Sequence, residues 1–122
     1  MKLINEHIYA LVNNYNSAFA EFNSYIPAKA NFVIQKNMSN LLEIAKGIDE
    51  TRLNTFKHYG VLDEEQSSYT VPPENQDTVV KELTELFQEE QEIEIKMISI
   101  DSLGSAEFTP AQMQAIMFMI ED

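Results

Sequence analysis

The chain has 122 residues, no cysteine and a formal net charge of −12 at pH 7. This length predicts a single domain over residues 1–122, and the lack of cysteine excludes disulfides, thiolate metal sites and cysteine nucleophiles. No run approaches the ~20 apolar residues that a membrane-spanning helix needs, and the first residues lack the pattern of a signal peptide. We therefore expect a cytoplasmic protein that makes no contact with membranes.

The negative charge is distributed unevenly along the chain. Residues 1–62 carry six basic and five acidic side chains, whereas residues 63–122 carry two basic and fifteen acidic ones. An acidic surface repels nucleic acid and anionic membranes, and it attracts basic proteins or cations. It also keeps a protein solvated, so charge alone leaves both a binding surface and a solvated surface open.

Residues 1–60 are predicted to form a long antiparallel helical hairpin. Apolar residues recur at helical spacing from about Asn5 to Phe22 and again from Pro27 to Gly60. Pro27 is typical of a first helical turn and Gly60 of a left-handed stop. Because the link between the two helices is short, we expect them to pack antiparallel.

Two residues interrupt the pattern of the second helix. Gly47 costs about 1 kcal/mol relative to alanine inside a helix, so one continuous helix and a break near Gly47 are both open. Arg52 falls near the apolar stripe, which predicts a buried ion pair with a carboxylate.

The second half of the chain mixes loop, helix and strand. Residues 61–73 have loop chemistry with a short strand at Tyr69–Val71, and residues 74–91 have the pattern of a third, acidic helix. Alternating residues predict a strand over residues 92–100, with a slip in register after Met97. A lone strand is unstable, so we expect it to pair with Tyr69–Val71 as a small antiparallel two-stranded ribbon, with the first few residues of the chain as a candidate third strand.

A C-terminal apolar helix is predicted over residues 109–121. Thr109 fits the N-cap, Pro110 the first helical position and Gln112 the capping box. Residues 115–120 are apolar on every side, so either the helix fills the core or part of its surface contacts a partner. In the second case the candidate contact residues are Met113, Met117, Phe118 and Met119. Together these elements predict the α+β class, with mostly helical content.

No residue pattern in the sequence supports catalysis. His7 and His58 belong to helix ends that an antiparallel hairpin keeps apart, and the acids at 63–65 lack the glycine and the spaced ligands of a calcium loop. The three glycines are isolated, so no phosphate-binding loop is present. We therefore predict a non-enzymatic protein with no metal and no cofactor.

Closely spaced carboxylates run from the third helix into the following strand. Such a band could imitate a nucleic-acid backbone, which carries about one charge per 1.7 Å of duplex axis, or it could be a solvated rim. The predicted acidic band consists of Glu82, Glu85, Glu89, Glu90, Glu92, Glu94 and Asp101.

Short motifs are distributed over residues 26–122. They are Pro27-Ala28-Lys29, Lys36-Asn37, Arg52, Lys57-His58-Tyr59-Gly60, Tyr69-Thr70-Val71, Lys81-Glu82-Leu83, Glu92-Ile93-Glu94-Ile95, Ile100-Asp101, Thr109-Pro110 and Phe118-Met119-Ile120-Glu121. In these motifs the chain resembles a family of small phage and prophage proteins of Gram-positive bacteria, a domain of unknown function. The resemblance implies a phage origin and residence in the host bacterial cytoplasm, and it brings no activity, substrate or cofactor.

The preferred interpretation is a non-enzymatic interaction or assembly factor that binds a host or phage protein, with self-association as one form of that binding. One alternative is an acidic inhibitor that imitates nucleic acid and blocks a host defence or nucleic-acid-handling protein. Another is a structural component of the phage particle. None of these functions requires the protein itself to bind nucleic acid.

Overall fold

The computed structural model describes residues 1–121. The helices are α1 (Asn5–Ala18), α2 (Ala28–Tyr59), α3 (Pro73–Gln88) and α4 (Pro110–Ile116), with short 3₁₀ helices at Ile100–Leu103 and Met117–Met119. The strands are β1 (Lys2–Ile4), β2 (Val61–Asp63), β3 (Ser68–Thr70), β4 (Glu90–Glu92), β5 (Ile98–Ser99) and β6 (Ile120–Glu121). This content confirms the α+β, mostly helical class.

The helix α2 is the longest element and runs without a break. Its 32 residues correspond to about 48 Å of helix. The exposed Gly47 lies within it, so the alternative of a break near Gly47 is wrong. Neither α2 nor any other helix within residues 1–121 has both the length and the apolar character needed to cross a membrane.

The helices α1 and α2 form the predicted antiparallel hairpin. The Tyr9 hydroxyl donates a hydrogen bond of 2.7 Å to Asp49, and Gln35 donates one of 3.2 Å to the Tyr15 hydroxyl. Because the residue numbers rise along α1 while they fall along α2, the two helices run in opposite directions. The first helix ends at Ala18, before the predicted end at Phe22.

Gly60 ends α2 for a different reason from the predicted one. Its φ of −107° and ψ of 173° are extended, so no left-handed stop forms. A Cβ atom at this position would lie 2.6 Å from the Phe56 carbonyl oxygen and 3.2 Å from that of Thr70. Glycine is therefore required because two backbone segments approach each other closely, one from α2 and one from β3.

A single apolar core joins the hairpin to the C-terminal elements. Its fully buried apolar side chains are Ile8, Ile34, Leu41, Ile116 and Met119. Phe19 and Phe22 close one end of it, where the Phe22 ring stacks on Phe108 at a centroid distance of 5.4 Å. The capping box predicted for Thr109 and Gln112 is present, so α4 starts where its sequence indicates.

The strand pairing differs from the predicted one. The segment around Tyr69 pairs with β2 in an antiparallel ribbon, and not with the strand after α3. That strand pairs with β1 instead, which confirms the first residues of the chain as its neighbour. The predicted strand over residues 92–100 is also divided, because β4 ends at Glu92 and β5 begins at Ile98 and pairs in parallel with β6.

A buried side-chain amide replaces a strand partner in the gap between β4 and β5. Asn37 on α2 is 2% exposed. Its Nδ2 donates to the Lys96 carbonyl oxygen at 2.9 Å, and its Oδ1 accepts from the Lys96 N–H at 3.0 Å. This two-point contact satisfies the backbone N–H and C=O groups of Lys96 as a neighbouring strand would. Residues 93–97 therefore lie against α2 without the hydrogen-bond ladder of a β-sheet. Asn40 adds a bond of 3.0 Å to the Glu94 carbonyl oxygen.

A second asparagine joins the beginning of α1 to the end of α3. The buried Asn5 donates through Nδ2 to the Leu86 carbonyl oxygen at 2.7 Å, and its backbone N–H donates to the Glu89 carbonyl oxygen at 2.9 Å. The carbonyl groups left free at the end of α3 thus receive donors from α1. The positive end of one helix dipole therefore meets the negative end of another.

Candidate protein-interaction surface

Six of the seven predicted acidic residues lie on one continuous stretch of chain. Glu82, Glu85 and Glu89 follow one another along α3 and its end, Glu90 and Glu92 lie on β4, and Glu94 follows in the extended segment. All six side chains are exposed. We call these six residues the acidic face.

Asp101 is separated in the chain from these six residues. It lies in the 3₁₀ helix that ends beside Gly104, and a Cβ atom on Gly104 would be 2.9 Å from Pro27 at the start of α2. Glu94 lies near Asn40, because the Asn40 side chain donates a hydrogen bond to the Glu94 carbonyl oxygen. The membership of Asp101 in the acidic band stays a prediction.

The spacing of the carboxylates can be compared with that of phosphates. Glu82, Glu85 and Glu89 span about 10 Å of helix axis, and alternate residues of the extended segment are about 6.8 Å apart. One DNA strand carries a charge every ~3.4 Å of axis. Each row of the acidic face is therefore sparser than a nucleic-acid strand by about twofold.

Few cations balance the acidic face from within the chain. Lys2 lies 4.0 Å from Glu90, and the amino group of Met1 lies 3.2 Å from Glu92. The other four carboxylates of the face form no ion pair within residues 1–121. Ion pairs this exposed contribute little to stability, so the face remains negative towards solvent.

Glu6 extends the acidic face and was not among the predicted residues. Gln88 donates a hydrogen bond of 3.5 Å to its carboxylate, which brings the start of α1 to the end of α3. No sequence pattern could identify Glu6, because its place depends on a contact between residues 82 positions apart.

Glu82 also faces the end of α2. The Glu82 carboxylate raises the pKa of Tyr59 above its ordinary value of 10.0, mainly through hydrogen bonding to the hydroxyl, and desolvation and the negative charge of Glu82 act in the same direction. Asn75 donates a hydrogen bond of 3.0 Å to the Tyr59 carbonyl oxygen, which joins the start of α3 to the end of α2.

The C-terminal apolar residues mainly fill the core. Met119 is completely buried, and Met113 and Phe118 are partly buried against the same core. Met117 alone among the four predicted contact residues is exposed, at 53%. The prediction of a contact surface is therefore wrong for Met119, and the alternative in which the helix fills the core describes these residues better.

Arg52 forms a surface contact where a buried ion pair was predicted. Its Nη1 lies 3.5 Å from the Asp49 carboxylate, and the two side chains are 36% and 58% exposed. The same Nη1 donates to the Tyr9 hydroxyl at 3.1 Å. The hydrogen bond from Tyr9 to Asp49 raises the pKa of Tyr9, an effect that burial and the charge of Asp49 increase and Arg52 opposes.

The remaining candidate residues are placed as follows. His7 and His58 are both exposed on different helices. The Asp63 carboxylate accepts the backbone N–H of Glu65 at 3.1 Å and therefore shapes the turn between β2 and β3. Within residues 1–121, no three histidine or acidic side chains converge closely enough to hold a metal ion.

No protein-family model matches the chain, and no curated protein or solved structure is detectably similar to it. The resemblance to phage proteins consequently depends on the sequence motifs alone.

Proposed function

We propose that this protein is a non-enzymatic binding factor whose acidic face contacts a basic surface of a partner protein. The observation that carries the proposal is the exposure of six carboxylates on one continuous stretch, four of them without an ion-pair partner within residues 1–121. Complementary charges of this kind accelerate association and select partners. The phage resemblance supports a place of action in the host bacterial cytoplasm.

The framework beneath the acidic face favours a preformed surface. The end of α3 is held by Asn5, and the segment carrying Glu94 is held by Asn40 and Asn37. Because both segments are fixed before a partner arrives, binding loses little conformational entropy. The core position of Met119 adds to the case, since Met117 alone of the four apolar candidate residues is exposed.

A second candidate function is imitation of nucleic acid by the same face. The regular rows on α3 and on the extended segment favour it, whereas their spacing, about twice that of phosphates in one strand, counts against it. The two functions differ in one measurable respect: a mimic competes with duplex DNA for the same partner site, while a general acidic contact does not.

The first test is affinity capture with tagged protein from infected and uninfected bacterial lysates. Washes at about 0.05 M and 0.5 M salt separate surface charge contacts from apolar ones, because the Debye length falls as ionic strength rises. We expect a basic partner that is retained at low salt and lost at high salt. A partner that is retained equally at both salt concentrations would contradict the proposal.

The identity of the captured protein separates the remaining alternatives. A host nucleic-acid-handling protein whose capture is abolished by added duplex DNA favours mimicry. Capsid or tail proteins, together with recovery of this chain in purified particles, favour a structural component of the phage.

A further inference from the structure

A cleft of about 490 Å³ lies between the first half of α2 and the extended segment after β4. This volume is in the range of ligand-binding sites. The cleft is lined by Ala28, Lys29, Phe32, Val33, Lys36, Asn37 and Lys96. It therefore combines apolar side chains with three ammonium groups.

The cleft concentrates positive charge on a strongly acidic chain. Lys29, Lys36 and Lys96 are three of its eight basic residues. None of the three forms an ion pair within residues 1–121, where the ion pairs use other cations. Carboxylates entering the cleft would meet these three lysines as opposite charges.

An exposed aromatic ring lies among these lysines. Phe32 is 68% exposed on α2. Single exposed apolar side chains are common on protein surfaces, but a ring that lines the same cleft as three lysines has the composition of a contact site for an anionic and apolar ligand. Aromatic anchors of this kind contribute strongly at protein interfaces.

The two sides of the cleft are fixed relative to each other. Lys96 comes from the extended segment, and both of its backbone polar groups are bonded to Asn37 of α2. Because Asn37 is buried, this contact is protected from water. The lysines of α2 and the lysine of the extended segment therefore form one preformed site.

We propose that this cleft binds a short acidic segment of a partner protein that carries one bulky apolar side chain. The apolar side chain packs on Phe32, and the neighbouring carboxylates contact Lys29, Lys36 and Lys96. The cleft is open to solvent on one side, whereas small-molecule sites enclose most of their ligand, so a segment that continues beyond the cleft fits it better.

The test uses an array of fluorescent seven-residue peptides with one variable apolar residue between two groups of three acidic residues. Binding to the full chain is measured by fluorescence anisotropy. We expect peptides with a central phenylalanine or leucine to bind, and the peptide with a central alanine to bind about tenfold more weakly. No binding by any peptide at about 1 mM, or equal binding of the alanine peptide, would overturn the proposal.

Matched charge reversals locate the binding site. The double variant Lys29→Glu/Lys36→Glu should lose about tenfold or more in affinity. The control Lys46→Glu/Lys57→Glu changes the net charge equally, at exposed lysines of α2 outside the cleft, and should stay within about twofold of the parent. Equal losses in the two variants would overturn the proposal, since they would show a general effect of net charge.

A truncation pair tests the aromatic contact. Phe32→Ala should weaken the phenylalanine peptide by about fivefold, while Leu53→Ala, at another exposed apolar residue of α2, should leave its affinity within about twofold. Phe32 is 68% exposed and Leu53 46% exposed, and neither belongs to the buried core, so neither variant should unfold the chain. An equal effect of the two truncations would contradict a role for Phe32.

Two further measurements exclude the other occupants. Decanoate that displaces the peptide at stoichiometric concentration would identify a site for small amphipathic anions and overturn the proposal. Sedimentation that shows a dimer of the parent chain, lost in Lys29→Glu/Lys36→Glu and kept in the control, would identify a contact between copies and also overturn it. The inference is independent of the acidic face, because it concerns a partner of opposite charge.

Discussion

Residues 28–59 form one helix that places eight residues in the interior, whereas no strand of residues 61–121 is longer than three residues. The first region is stabilised mainly by apolar burial along a continuous stripe. The second region contributes apolar side chains to the same core, and it is further attached by polar side chains that bond distant backbone groups. These side chains are Asn5, Asn37, Asn40, Asn75 and Gln112.

The difference shows how a short, irregular segment can still present a fixed surface. Regular strands obtain their hydrogen bonds from neighbouring strands, but the backbone groups of Lys96 and the carbonyl group of Glu94 bond to Asn37 and Asn40 on α2. These two amides therefore order two surfaces. Asn40 holds the end of the acidic face at Glu94, and Asn37 holds the lysine of the cleft at Lys96.

The largest expected effect lies in the apolar region. Leu41→Ala removes a side chain that is completely buried, so it should lower the free energy of unfolding by about 3 kcal/mol. The neighbouring Leu42→Ala, at a residue 38% exposed, should cost less than about 1 kcal/mol. Urea unfolding followed by circular dichroism measures both. Equal losses of unfolding free energy in the two variants would show that the apolar stripe is not the main source of stability for the helix pair.

The next effect tests the amide contact. Asn37→Ala removes both partners of the Lys96 backbone, so it should cost about 2 kcal/mol, within the range for leaving buried polar groups unpaired. The same substitution should accelerate hydrogen exchange at the backbone amide of Lys96. Asn40→Ala removes one bond at a half-buried position and should cost about 0.5 to 1 kcal/mol. If Asn40→Ala lowers the free energy of unfolding as much as Asn37→Ala does, the two-point contact is not the main attachment of residues 93–97 to α2.

A smaller effect is expected at the start of α4. Thr109 accepts the Gln112 N–H at 3.1 Å in a complete capping box, so Thr109→Ala should cost about 1 kcal/mol. Thr78→Ala, at an exposed threonine within α3, serves as the control and should change stability by less than about 0.5 kcal/mol. Thermal unfolding distinguishes the two, and no difference between them would contradict a stabilising role of the cap.

The smallest effect concerns two glycines, Gly47 within α2 and Gly60 at its end. Gly47→Ala should stabilise the chain by about 0.5 to 1 kcal/mol, because the site is helical and nothing lies within 4 Å of the added Cβ. Gly60→Ala should destabilise it, since the added Cβ meets the Phe56 carbonyl oxygen. Melting temperatures that move in the same direction for both variants would contradict this explanation.

Features encoded locally could be predicted from the sequence. The capping box at Thr109, the apolar stripe of α2 and the antiparallel hairpin depend on residues close together in the chain, and all three are confirmed. The alternation also predicts a slip in register after Met97, where Ile98 is buried but Ile100 is 52% exposed.

Features that depend on distant contacts could not be predicted. Pairing of β1 with β4 joins segments almost 90 positions apart, and strands of three residues carry too little pattern to select a partner. The replacement of a strand by Asn37 leaves no trace in hydropathy. For the acidic face, the sequence could indicate the exposed carboxylates, whereas the place of Glu6 beside the end of α3 depends on its contact with the distant Gln88.

The most direct test of the proposed function compares two matched charge variants with the purified partner. Glu85→Gln/Glu89→Gln/Glu94→Gln neutralises three acids of the acidic face, and Glu21→Gln/Glu64→Gln/Glu107→Gln neutralises three exposed acids elsewhere. Isothermal titration calorimetry at two salt concentrations gives the dissociation constants. We predict a loss of about a hundredfold for the first variant, together with weaker salt dependence, and less than about threefold for the second. Equal losses in both variants, or no loss in either, would contradict recognition through the acidic face.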